Sequence, residues 1–344
     1  MTDRFLRVLR GDVPDVPPIW MMRQAGRYHA PYRRLRERHS FVTLCREPAL
    51  AAEVAMGPVR DFDVDAAILF SDLLFPLEAL GMALDYDQGG PRLDGPVTPA
   101  RLARFRPTAD AAERLVFQRD AVAATRAVLP DGKGLIGFVG GPWTLFVYAV
   151  EGTHAGALAR AKASPRLFTE FAAHLVPVLR ESIRMQLEAS ADVVMMFDTA
   201  AGELSPAWFR RLVASDLIAL AEAFPGRLGY YAKGLHPALL ADARFTRAPW
   251  AGVGYDARWD LPEQLLANRE RGDTAFVQGN FDQALLFLDG RDLEQALDEY
   301  LEPFRGLHPA ERRAWICGLG HGVLPGTPEV SVRTFVRVVR RSFQ

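Results

Sequence analysis

Two arginines four residues apart, Arg23 and Arg27, lie in Met21-Met22-Arg23-Gln24-Ala25-Gly26-Arg27-Tyr28, directly behind the apolar run Val16-Pro17-Pro18-Ile19-Trp20. A guanidinium fork gives two parallel hydrogen bonds to a carboxylate or phosphate, and glycine lets backbone approach a ligand closely. A solvated helix start is the competing account, but arginines set straight after Trp-Met-Met favour an anion site. Other chemistry-bearing groups follow apolar runs farther on: Asp72 after Phe70-Ser71, Thr199 after Asp198, then Lys233, Asp256, Asn280, and His321 in Gly320-His321-Gly322. Tyr148 stands in Trp143-Thr144-Leu145-Phe146-Val147-Tyr148. Asp72 reads equally as a helix N-cap or as an isolated carboxylate for a cationic or N–H-rich ligand. Tyr148 also fits a core aromatic, Thr199 a cap, and Lys233 with Asp256 a structural ion pair. His321, between two glycines, has no core face to fill.

Eight short apolar runs must hold these groups: Pro18–Met22, Ala66–Phe70, Leu135–Val139, Asp192–Phe197, Arg227–Tyr231, Trp250–Gly254, Thr274–Gln278 and Ala314–Cys317. They lack period-two alternation, as strands buried on both faces do. Helical stretches separate them. Ala111–Val128 is amphipathic. Ser164-Pro165 and Ser205-Pro206 open helices running to Leu187 and about Ala223, with serine as cap and proline in the first turn. Asp292–Leu301 is amphipathic, and Thr327-Pro328-Glu329 caps a last helix. Eight strands alternating with helices, with polar residues after nearly every strand, predict a single α/β domain over residues 1–344, a (β/α)8 TIM barrel with extra loops and helices. A doubly wound open sheet is the alternative. Leu80–Arg106, rich in Gly, Pro and Asp, reads as a partly ordered excursion.

A chain of 344 residues with 49% apolar content can build a large core. Its 41 basic and 42 acidic residues leave a net charge of −1, so no field of one sign favours nucleic acid. Two cysteines, Cys45 and Cys317, are too few for a disulfide framework, and Cys45 is placed away from the barrel mouth, which disfavours zinc. The longest uncharged run, Gly134–Val150, is cut by Gly140-Gly141-Pro142, so no membrane span is expected. With no apolar signal segment near the start, a cytoplasmic protein is expected. Phosphate-loop, dinucleotide, His-Glu-x-x-His and Gly-x-Ser-x-Gly patterns are all missing.

The motif around Arg23 resembles the uroporphyrinogen decarboxylase family. So do Ile68-Leu69-Phe70-Ser71-Asp72, Gly140-Gly141-Pro142-Trp143-Thr144-Leu145 with Tyr148 and Glu151-Gly152, Phe197-Asp198-Thr199, Tyr231-Ala232-Lys233-Gly234, Val277-Gln278-Gly279-Asn280 and Gly320-His321-Gly322-Val323-Leu324-Pro325-Gly326-Thr327-Pro328. They occur in the family's order from about residue 16 to 330. The resemblance implies a (β/α)8 barrel, a homodimer, no metal or organic cofactor, and removal of CO2 from the four acetates of uroporphyrinogen III to give coproporphyrinogen III in haem biosynthesis. It implies a substrate site lined by Arg23, Gln24, Ala25, Gly26, Arg27 and Arg36, with Asp72 at its centre, Phe138 on its wall, and Tyr148, Thr199 and His321 as polar contacts. Three places depart from the family pattern: His29-Ala30-Pro31, Ala200 and Gly318. On this reading Asp72 carries the chemistry and the arginines bind carboxylates, because an arginine is almost always protonated and is a poor proton donor. Two rivals are a zinc-dependent corrinoid or thiol methyltransferase on the same barrel and a non-catalytic tetrapyrrole carrier.

Overall fold

Seven of the eight apolar runs form one parallel sheet in the computed structural model, which describes residues 3–87, 90–240 and 242–344. In chain order the strands are β1 (Ala66–Ile68), β2 (Leu84–Asp87), β3 (Gly90–Leu93), β4 (Gly134–Gly140), β5 (Val193–Phe197), β6 (Leu228–Tyr231), β7 (Gly252–Gly254), β8 (Phe276–Phe281) and β9 (Trp315–Leu319). The large sheet runs β1-β4-β5-β6-β7-β8-β9, every neighbour parallel, and β2 pairs with β3 as an antiparallel hairpin. β4, β6, β8 and β9 are buried at every position, as expected for strands covered on both faces.

The run Pro18–Met22 does not form a ladder. It makes a single parallel bridge, Ile19 with Cys317. Pro17 and Pro18 have no N–H to give, which removes donors from the start of the run. What remains reaches both edges of the sheet. On the β9 side, Trp20 N–H donates to the Cys317 carbonyl at 3.1 Å and Cys317 N–H donates to the Pro18 carbonyl at 2.8 Å. On the β1 side, Asp65 N–H donates to the Ile19 carbonyl at 2.8 Å and Ile19 N–H donates to the Asp65 carboxylate at 2.7 Å.

Several helix boundaries differ from expectation. Ala111–Val128 is two helices, Thr108–Glu113 and Val116–Val128. Ser164 precedes the long helix Pro165–Glu188 without capping it; its ψ of 52° is far from the extended backbone a capping residue uses. Ser205 does cap, accepting from Trp208 N–H, and its helix ends at Leu212 before a second one, Ala214–Ala223. The last helix, Glu329–Ser342, starts after Pro328, and the Thr327 hydroxyl is buried without a partner among the described residues. The excursion Leu80–Arg106 is more regular than its composition suggested: it holds the β2–β3 hairpin and the short helix Pro99–Leu102, while Gln88 and Gly89 lie outside the described residues. Among the described residues no helix is long and apolar enough to cross a membrane.

Candidate active site

A cavity of about 370 Å³ opens at the C-terminal ends of the parallel strands, where ligands bind in sheets of this kind. Its wall contains Arg23, Ala25, Gly26, Arg27, Asp72, Phe138, Tyr148, Thr199 and His321. Residues scattered over three hundred positions of chain therefore meet, as the strand-end pattern expected. Gln24 and Arg36 are not on that wall. Gln24 is fully buried, with its amide donating to the Ala66 carbonyl at 2.8 Å and accepting from Met21 N–H at 3.3 Å. It ties the arginine turn to β1. Arg36 points out from the helix Ala30–Arg38 and donates to the His39 carbonyl at 2.6 Å.

The turn held by Gln24 places Arg23 in a left-handed backbone, φ 57°, a sparsely used region for a side chain this size. Tyr28 Oη adds a second tether by donating to the Gln24 carbonyl at 2.7 Å. The Arg23 side chain then lies across Gly322, where a β-carbon would overlap its Cβ, Cγ and Cδ. The two glycines around His321 are thus explained separately: Gly322 makes room for Arg23, and Gly320 for the backbone at Asp256 and Ala257. Neither Arg23 nor Arg27 has a hydrogen bond or ion pair to its guanidinium among the described residues, so both forks remain open to an anion.

Asp72 follows the end of β1. Its Oδ1 accepts from Leu74 N–H at 2.8 Å, a local turn that precedes the helix Phe75–Leu80 rather than capping it. Burial pushes the Asp72 carboxyl up from its usual range, opposed by the Leu74 N–H, the Tyr86 hydroxyl and the charge of Arg23. Phe138 faces it from β4. Gln186 fixes that residue by accepting from Phe138 N–H at 2.8 Å and donating to its carbonyl at 3.0 Å, beyond the point where β1 stops pairing.

An aromatic wall continues from Phe138 to Phe197 (centroids 5.8 Å), to Tyr231 (6.2 Å) and to His321 (5.9 Å, nearly parallel). Phe197 and Tyr231 were not anticipated as site residues, although each ends its strand. Tyr231 Oη donates to the Gly320 carbonyl at 2.8 Å and lies 3.3 Å from His321 Nδ1. Burial lowers the His321 imidazole to about 4, with Arg23, Lys233 and His154 adding repulsion. The folded protein therefore binds fewer protons here than the unfolded chain between about pH 6.5 and 4, so this residue's contribution to stability is present above 6.5 and lost as pH falls through that window. Histidine NMR titration is expected to show a neutral His321 ring throughout pH 6–8.

Two anticipated groups serve the frame. Asp256 pairs with Arg258 (2.6 Å) and accepts from Gly234 N–H (2.6 Å), so the Lys233–Asp256 pair does not form; Arg258, two residues away, reaches the carboxylate first. Asn280 donates to the Asp256 and Trp259 carbonyls. Asp198 anchors the helix Pro142–Glu151 by accepting from Thr144 N–H at 2.7 Å, and burial holds its carboxyl at about 6. The three departures from the motif pattern have local reasons. His29 is buried against Phe62 and bonded to Asp61 at 2.7 Å. Ala200 is buried on the turn after β5, where a small side chain fits, and its N–H donates to Thr144 Oγ1 at 2.9 Å. A side chain at Gly318 would strike the Trp20 carbonyl oxygen. Both cysteines are buried with their thiols pushed up by burial; Cys45 is not on the cavity wall, although the charge of Asp72 reaches it. Among the described residues no three His, Cys, Asp or Glu side chains converge as a metal site.

The chain was compared with known proteins. Among solved structures, a methyltransferase from Methanosarcina mazei superposes with a TM-score of 0.76 at 18% identity, covering 99% of this chain and 98% of that one. At that identity the likeness concerns the fold. A B12-independent methionine synthase from Listeria monocytogenes, described as putative in its structure's name, gives 0.52 at 12% identity, covering 96% of each chain. In sequence, uroporphyrinogen decarboxylases are much nearer. That of a Synechococcus strain is 35% identical over 355 residues, covering 99% of this chain and 98% of its own. That of Chloroflexus aurantiacus is 36% identical over 352 residues, covering 99% and 96%. The family model described as "Uroporphyrinogen decarboxylase (URO-D)" matches residues 1–342. With a match of that length, and the arginine, aspartate, tyrosine and histidine motifs meeting in one cavity, the chain belongs to the uroporphyrinogen decarboxylase family.

Proposed function

We propose that this cavity decarboxylates the four acetate side chains of uroporphyrinogen III, giving coproporphyrinogen III in haem biosynthesis. The observation that carries the reading is that, among the described residues, Asp72 is the one acid on the wall of a largely apolar cavity whose rim holds two arginines without ion-pair partners. The substrate matches that arrangement: eight carboxylates at the periphery and four pyrrole N–H groups at the centre. An acetate on a neutral pyrrole has nowhere to leave its electron pair. Protonation of the adjacent ring carbon makes a cationic ring. The bond to the carboxylate then breaks, CO2 departs, and its electrons neutralise the ring as an exocyclic methylene. Protonation of that methylene and loss of the first proton restore the pyrrole, now bearing methyl.

Asp72 serves this sequence by accepting the pyrrole N–H bonds and stabilising the cation in a preorganised, water-poor site. Arg23 and Arg27 hold substrate carboxylates as bidentate partners. Gln24, Ala25 and Gly26 shape the turn between them, Phe138 forms the wall, and Tyr148, Thr199 and His321 orient the remaining side chains. Arg36 is assigned to an outer substrate carboxylate, a role supported by its closeness to Tyr32, a cavity residue. The chain works as one (β/α)8 barrel over residues 1–344, with Pro18–Met22 as the eighth strand; the hydrogen bonds from Ile19 and Trp20 to both sheet edges support that closure. The family supports a homodimer.

The test is an anaerobic assay with uroporphyrinogen III that follows both CO2 and coproporphyrinogen. Porphyrinogen binding without CO2 release would leave a carrier instead. A methyltransferase with zinc bound through His and Cys would be recognised by metal analysis of the purified protein. Within the decarboxylase reading, Gly322→Ala is expected to displace Arg23 and raise KM about tenfold, the size of one charge-assisted hydrogen bond, with kcat changed less. Steady-state kinetics of the pure variant checks this.

A further inference from the structure

We propose that His154 is a positioning residue of this site, holding the Tyr148 hydroxyl in one orientation over the cavity. The inference rests on the decarboxylase reading above and adds to it a residue outside the shared motifs. The helix Pro142–Glu151 ends at Gly152, whose left-handed backbone (φ 78°) reverses the chain. That reversal carries His154 back over Tyr148. The ring centroids are 5.4 Å apart, and Tyr148 Oη lies 2.6 Å from His154 Nδ1. The loop is tied at its base. Glu151 accepts from Ala161 N–H at 3.0 Å and from Arg160 Nε at 2.9 Å, so both ends of the turn are fixed to one carboxylate. Thr153 Oγ1 accepts from Ala155 N–H at 3.2 Å inside it.

Tyr148 lines the cavity, whereas His154 stands behind it and does not. Alone, a phenol hydroxyl can swing between the two in-plane directions. A partner at Nδ1 removes one of them. Burial, then Arg23 and Lys233, lower the His154 imidazole, which keeps it neutral. Burial, then Asp72, raise the Tyr148 phenol, which keeps it protonated. A neutral ring and a neutral phenol share one proton along this bond. If Nδ1 is bare, Oη donates to it and turns lone pairs to the cavity; if Nδ1 carries hydrogen, Oη directs its proton at the substrate. Either tautomer fixes the role of Tyr148 before substrate arrives, which is preorganisation.

The experiment compares His154→Leu with His154→Asn, whose amide places a polar atom near the position of Nδ1. Leu is expected to lose about tenfold in kcat with KM within about twofold, and Asn to recover most of that loss. In a Tyr148→Phe background the Leu change is expected to have no further effect, as for two residues acting through one bond. Independently of turnover, the ring ¹⁵N signals of one of the seven histidines, identified by their loss in His154→Asn, are expected to shift on Tyr148→Phe. Leu and Asn behaving alike, an undiminished Leu effect without the Tyr148 hydroxyl, or an unmoved ¹⁵N signal would each overturn the proposal. Should Leu fail to fold by thermal denaturation, His154→Gln, which moves the polar group away from Oη, replaces it. An inert wild-type chain overturns the decarboxylase reading itself; an active wild type with these negative results overturns only the role of His154.

Discussion

Asp72→Asn is expected to slow decarboxylation of uroporphyrinogen III on the order of 10²–10³-fold, the loss found when one preorganised group that meets developing charge is removed. Asparagine is nearly isosteric. Its carbonyl oxygen can keep the Leu74 N–H bond, so the turn after β1 stays as it is. On the proposed reading, what disappears is the negative charge that faces the pyrrole cation. That reading rests substrate affinity mainly on Arg23 and Arg27, so binding is expected to change only a few-fold. Stability is expected to hold or rise. Burial raises the Asp72 carboxyl, meaning the folded state disfavours its charge. An acid whose folded value lies above its unfolded value destabilises the fold as pH rises through that interval, and a neutral amide removes the effect. Slower turnover with an unchanged or higher melting temperature separates loss of a catalytic charge from damage to the fold. Near-normal turnover in single-turnover kinetics would refute the central role of Asp72.

Where an apolar run of strand length ends in a polar residue, sequence order marks a candidate for the site. Asp72, Thr199 and His321 follow such runs, and all three reach one cavity. The same rule pointed to Lys233, Asp256 and Asn280, which are not on its wall. Their fate depends on short-range competition that periodicity cannot express: Arg258 reaches Asp256 from two residues away, and Asn280 finds two carbonyls in the loop after β7. Phe197 and Tyr231 end their strands too, but an aromatic at that place reads as core. His154 and the Tyr86 hydroxyl come from excursions whose folding is set by a single left-handed glycine and by a hairpin, neither of which carries a repeating pattern. The first apolar run shows the limit most directly. Pro18–Met22 has the composition of its neighbours, yet Pro18, with Pro17 just before it, leaves too few donors at its start for a ladder, and its place is settled by partners at Cys317 and Asp65.

Arg340→Leu is expected to destabilise the fold by about 3–5 kcal/mol, the range for removing one partner of a buried ion pair. Arg340 reaches in from the last helix and bonds Asp65 at 2.6 Å, with the two side chains 12% and 1% exposed. Asp65 also receives Ile19 N–H on its Oδ2, while its Oδ1 and two guanidinium nitrogens of Arg340 are buried without partners among the described residues. The pair is therefore an imperfect one, and a wholly apolar replacement of comparable volume need not be worse. Leucine on one side only is different, because it leaves a carboxylate in the interior. Burial already pushes Asp65 up, with Arg340 the main force opposing it. Without that opposition the carboxyl rises further, and the folded state binds its proton at higher pH than the unfolded chain does. By linkage the deficit of the variant is greatest where Asp65 must be charged and shrinks as pH falls through its folded value. Denaturant midpoints at pH 7.5 and 5 compare the two conditions. Adding Asp65→Asn to Arg340→Leu is expected to restore most of the loss at pH 7.5, since the amide oxygen still accepts from Ile19 N–H and no charge remains to bury. If the double variant is no more stable than Arg340→Leu, the damage lies in lost packing of the last helix against the helices Pro48–Phe62 and Gly290–Gly306; if it recovers, the pair's role is to keep one buried acid neutralised where the first apolar run meets the edge of the sheet.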